Sequence, residues 1–179
     1  TDIAETFDSR TVRSTCQCGG PTGQLDSGAF DMANFPAQPE QLTADWLTAA
    51  LHTSGALDDQ RRVSGFEITP VGAGTGLLGM VMRIHLDYGV GAPVAGPTSL
   101  VVKFAHPVEG NRAIAMNTNM YEREVSFFND IAGSVDVPKP FCHYAAVDTV
   151  TGENIVVLGL FGAGGPGARH AGPGRGRSR

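Results

Sequence analysis

Met80 to Tyr88 runs as a strand, with Met80, Met82, Ile84, Leu86 and Tyr88 all falling on one face, and it follows directly on a run containing Gly72, Gly74, Gly76 and Gly79. A period of two is the signature of a half-buried strand. On the other side of the glycines, Val63 to Pro70 alternates around Phe66 and Ile68. The order is therefore strand, glycine loop, strand, which closes most simply as an antiparallel pair. A dinucleotide-binding βαβ unit would need helical periodicity after the glycines and an acidic residue about 20 positions on. Before the next strand there is no room for such a crossover helix, so the pattern argues against a parallel sheet.

The remaining elements follow from the same reading. Leu42 to Leu51 carries apolar residues at 42, 46, 47, 50 and 51, with Thr43 as cap, Asp45 in the first turn and Gly55 as stop, which predicts a short helix with Trp46 in the core. Thr98 to Ala105 is a third strand, with Leu100, Val102 and Phe104 on one face and Val101, Lys103 and Ala105 on the other. Arg112 to Ala132 reads as one long helix with Tyr121, Val125 and Phe128 near its apolar stripe. Val137-Pro138-Lys139-Pro140 leads into a strand at Phe141 to Val147, a turn spans Asp148 to Glu153, and Asn154 to Leu158 is an apolar buried strand. The expected fold is α+β: a five-stranded antiparallel sheet, one long helix between its third and fourth strands, and a short helix in front. Residues 1–40, rich in small and polar types without periodicity, are expected to be a flexible leader, 41–160 the folded unit, and 161–179 a disordered Gly/Pro/Arg-rich tail.

Charge and cysteine usage narrow the functional classes. A net charge of -5 gives no global reason to expect nucleic acid or an anionic membrane surface as partner. No stretch approaches the about 20 apolar residues of a membrane-spanning helix. Cys16, Cys18 and Cys142 are too few and wrongly spaced for a disulfide framework or a zinc site, which fits reduced thiols and a cytoplasmic location.

The glycines, Lys103 and Glu124 together outline a phosphate site. Glycines leave backbone amides uncovered and free to take positive φ around an anion. A lysine at the centre of an apolar strand is explained by snorkelling or by a partner, and Glu124 beside the helix's apolar stripe can lean toward the sheet to meet it. As spelled, Gly74 to Val81 is G-x-G-x-x-G-x-V.

With these residues in view, Gly72 to Leu158 resembles the N-terminal lobe of the protein-kinase-like small-molecule phosphotransferases, the superfamily of aminoglycoside phosphotransferases and choline kinases. Three phrases are most similar to its ecdysteroid-kinase-like branch: Met82 to Tyr88, Tyr121 to Phe128 (YEREVSFF), and Val137 to Pro140. The resemblance implies ATP-dependent transfer of the γ-phosphoryl group to the hydroxyl of a small-molecule acceptor. It also implies site roles. Gly74, Thr75, Gly76 and Gly79 would cover the phosphates, Lys103 would contact them, and Glu124 would hold Lys103. Val81 and Val101 would flank the adenine, and the backbone from Val157 and Leu158 to Gly159 would meet its edge.

The family's catalytic aspartate and its magnesium ligands have no counterpart here, since no Asp or Glu follows Glu153. Magnesium is expected of the family, and no catalytic or metal-binding residue is assigned in this chain. Two expectations follow: an incomplete lobe that retains nucleotide affinity without turnover, with a shifted frame or artificial end from about Gly159, or a non-catalytic module whose tail arginines meet an acidic partner.

Overall fold

The computed structural model describes residues 12–13, 34–72, 76–89 and 96–160. Most of the leader, the tail, Cys16 and Cys18 lie outside the described residues. One antiparallel sheet organises the rest, in the order β1-β5-β6-β4-β3-β2. Its strands are β1 (Val12–Arg13), β2 (Gly65–Pro70), β3 (Gly79–Asp87), β4 (Ser99–Ala105), β5 (Cys142–Asp148) and β6 (Asn154–Gly159). The five strands expected from periodicity are present. β1 is an addition from within the segment read as leader, two residues pairing Val12 with Asp148 and Arg13 with Val147. So short a piece has no periodicity to read.

The helix α1 (Ala44–Thr53) forms where its signals place it. Thr43 Oγ1 accepts from the Trp46 N–H at 3.1 Å, and Gly55 takes φ +68° after the last turn. Its apolar face lies on the sheet face formed by Leu100, Val102 and Phe104, and Trp46 stands edge-on to Tyr144 with ring centroids 5.2 Å apart. The alternating face of β3, from Met80 to Tyr88, packs into the same cluster. Trp46 is 3% exposed, a core anchor as its size demands.

The opposite sheet face is covered by the segment between β4 and β5, and here the structure corrects the expected single helix. The segment breaks into α2 (Glu109–Asn117) and α3 (Met120–Ser126), followed by a π-turn at Phe127–Ile131 and a 3-10 turn at Ala132–Ser134. The break has a local cause. Thr118 Oγ1 lies within hydrogen-bond reach of the carbonyls of Ile114 and Ala115, at 2.9 and 3.1 Å, and Asn119 adopts φ +52°, ψ +30°. Asparagine tolerates this left-handed conformation, which a helix cannot pass through. Ala115, Tyr121 and Val125 are buried against Ala105, Val147 and Val156.

Candidate functional site: a cleft between the glycine hairpin, β4 and α3

From Gly76 to Gly79 the chain closes as a tight hairpin tip. Gly76 pairs with Gly79 in an isolated antiparallel bridge, with Leu77 and Leu78 at the turn, and the Val71 N–H donates to Val81 O at 2.9 Å. A Cβ at Gly79 would meet the carbonyl oxygen of Phe104 at 2.9 Å, so glycine is required for β3 to approach β4 here. Gly74 and Thr75 lie outside the described residues.

Behind this hairpin the strand register sets Lys103 opposite Val81 on one side and Val156 on the other. Its side chain leaves the sheet on the α3 face, and Lys103 Nζ donates to Glu124 Oε1. The two side chains are 35% and 30% exposed, so the pair sits at the border of the interior, where an ion pair is less screened than on an open surface. Twenty-one residues of sequence separate them, bridged by the end of β4, α2 and the Asn119 break.

Tyr121, one turn before Glu124, fixes α3 in this position. Its hydroxyl donates to Leu78 O at 2.7 Å and accepts from the His106 N–H at 3.1 Å. One oxygen thereby ties α3 to the glycine hairpin and to the end of β4. His106 is itself held from three sides. Its Nδ1 accepts from the Val108 N–H at 3.0 Å, its Nε2 lies 3.3 Å from Asn111 Nδ2, and its carbonyl accepts from Arg112 at 3.4 Å.

These elements enclose a cleft of about 620 Å³. Gly76, Gly79, Val81, Lys103 and Glu124 line it, together with apolar walls from Leu78, Met80, Met120, Phe127 and Phe128. Val101, Val157 and Leu158 are elsewhere. Val157 is buried on the opposite face, toward α1, while Leu158 and Val101 pair across the strands within the apolar cluster under α3. The Gly159 N–H donates to Phe141 O at 2.7 Å and is thereby engaged within the sheet. The ladder places β6 between β4 and β5, which is the physical reason its backbone from Val157 to Gly159 is occupied.

Tyr121, Asn154 and the two phenylalanines are cleft residues that motif reading did not single out. Tyr121 and Phe128 were legible only as members of an apolar stripe, and Asn154 only as the start of a buried strand. Among the described residues no group of three His, Cys, Asp or Glu side chains comes together to hold a metal ion. No helix of the described residues is long and apolar enough to cross a membrane. No protein-family model matches the chain, and no curated protein matches it either.

Proposed function

We propose that the cleft binds the phosphates of ATP and that the chain is the N-terminal, nucleotide-binding lobe of a protein-kinase-like phosphotransferase of the aminoglycoside phosphotransferase and choline kinase kind, on its ecdysteroid-kinase-like branch. The observation that carries this reading is the Lys103–Glu124 ion pair facing a glycine hairpin across one cleft. Phosphoryl transfer depends mostly on positioning and on neutralising charge, and a lysine held by a carboxylate is a fixed cation for that purpose. The antiparallel order β5-β6-β4-β3-β2, with helices between β4 and β5, supports the same lobe architecture.

On this reading ATP supplies the γ-phosphoryl group for the hydroxyl of a small-molecule acceptor. Lys103 would hold the phosphates, Glu124 would orient Lys103, and the amides of the glycine hairpin would cover them. The residues present do not fit magnesium, because no carboxylate cluster faces the cleft among the described residues. The activity proposed for this cleft is nucleotide binding.

Calorimetric titration of the full chain with ATP tests the reading. Binding that falls by about tenfold or more in Lys103→Met, with folding unchanged by circular dichroism, is the expected result, since a charged hydrogen-bond partner is lost. No heat of binding at millimolar ATP, or equal affinity in Lys103→Met, would overturn it.

A further inference from the structure

α3 owes its place to contacts and not to its own length. It has 7 residues, begins directly after the left-handed Asn119 and passes into the π-turn at its other end. A helix this short is not stable by itself in water, so its packing decides where it lies. Tyr121 and Val125 are its buried residues. Tyr121 and Glu124 stand three positions apart, which makes them neighbours on one side of the helix, and both line the cleft.

The Tyr121 hydroxyl has one hydrogen to give, and it goes to Leu78 O, in the turn between the bridged Gly76 and Gly79. The same oxygen accepts from the His106 N–H, one residue beyond β4, the strand that carries Lys103. With its hydrogen committed and the residue 6% exposed, the hydroxyl is not a ligand contact. It joins the three walls of the cleft: the hairpin, β4 and α3. A shift of the hairpin and a shift of α3 therefore act on one oxygen, and the Lys103–Glu124 pair depends on where α3 lies.

We propose that Tyr121 is a positioning residue of the cleft, whose hydroxyl links the glycine hairpin to the Lys103–Glu124 pair, so that a phosphate-bearing ligand gripped by one finds the other in place. The identity of that ligand rests on the nucleotide reading. Without the hydroxyl, the hairpin and α3 are set independently, and the apparent affinity falls with the fraction of chains in which both are in position. The loss of one hydrogen bond of ordinary strength corresponds to about fivefold.

Calorimetric titration of the full chain with ATP, in a double-mutant cycle of Tyr121→Phe and Lys103→Met, is the test. Tyr121→Phe alone is expected to weaken ATP binding about fivefold, and beside Lys103→Met to cost less than about twofold, because the pair it positions is already gone. A residue that only supports the fold would cost the same in both backgrounds. Amide exchange in the unaltered chain is an arm that needs no variant. ATP is expected to slow exchange of the His106 N–H, which does not line the cleft, more than that of the Leu86 N–H, which donates to Thr98 O at the far end of the sheet from the hairpin. No ATP binding by the unaltered chain would remove the nucleotide reading and this link with it. ATP binding with unchanged affinity in Tyr121→Phe, an equal cost in both backgrounds, or exchange at His106 slowed no more than at Leu86 would overturn the link and leave the nucleotide reading standing.

Discussion

His143 on β5 makes the stability of this fold depend on pH in a calculable way. Its ring is 2% exposed, its Nδ1 lies 3.0 Å from Ser54 Oγ, and it stands edge-on to Phe141. Burial lowers its pKa from 6.5 to about 4. A base with a depressed folded pKa binds more protons when unfolded. Its contribution to stability is therefore fully present above pH 6.5 and is lost as the pH falls toward about 4. At ~1.4 kcal/mol per pH unit the gap has a ceiling of about 3 kcal/mol, and about 2 kcal/mol of it is gone at pH 5. The comparison is wild type against His143→Gln, which can still hydrogen-bond to Ser54 but does not titrate. Urea unfolding of both at pH 7 and pH 5 gives two differences, and carboxylates common to the two proteins cancel between them. Wild type is expected to lose about 2 kcal/mol more than the variant on acidification. Parallel losses would show that His143 is protonated in the folded state, and the reasoning from burial would be refuted.

Three substitutions probe the supports of the cleft and the core. Tyr121→Phe keeps the ring in its apolar cluster but leaves the buried His106 N–H and Leu78 O without their shared partner, for an expected loss of about 1–3 kcal/mol in urea unfolding, together with faster proteolysis near the glycine hairpin. An unchanged midpoint and an unchanged cleavage pattern would argue against the hydroxyl as a tie. Gly152 has φ +71°, and a Cβ there would come within 2.7 Å of Met116 Cγ, so Gly152→Ala is expected to lower stability by about 2 kcal/mol; a neutral effect would mean that the β5–β6 turn is not locked against α2. Thr43→Ala removes the cap of α1 and is expected to destabilise by about 1 kcal/mol, read from the same urea midpoint, with no change counting against the cap.

The parts of this fold that were legible in the sequence are those governed by local rules. Alternation placed β3 and β4 and assigned their faces correctly, because Leu100, Val102 and Phe104 are sorted from Val101, Lys103 and Ala105 by the pleat alone. Capping chemistry placed α1. Lys103 and Glu124 were recognisable because a lysine in an apolar strand needs an explanation, and the structure brings the two together. What was not legible depends on single dihedrals or on distant partners. Asn119 divides the long helix through one left-handed residue, although the apolar stripe continues past it. The two bonds of the Tyr121 hydroxyl join segments 43 and 15 residues away, and the contact between Ser54 and His143 spans 89. No pattern in a short window encodes such meetings. The role of Val157 and Leu158 at a ligand edge rests on the resemblance alone; the structure places both in β6, paired with β4 and β5.

The position of β6 also has a consequence for the chain as it leaves the ribosome. β2, β3 and β4 are consecutive and pair with their immediate neighbours, so this meander can assemble early from local contacts. β5 cannot join it. Its only neighbours in the sheet are β1 and β6, and β4 likewise waits for β6 along its second edge. Asn154–Gly159, the last of these six strands in chain order, is therefore the keystone that joins two separate halves. Until it emerges, the nascent chain presents two strand edges, on β4 and on β5, that the finished sheet covers, and such edges are prone to pair with another chain.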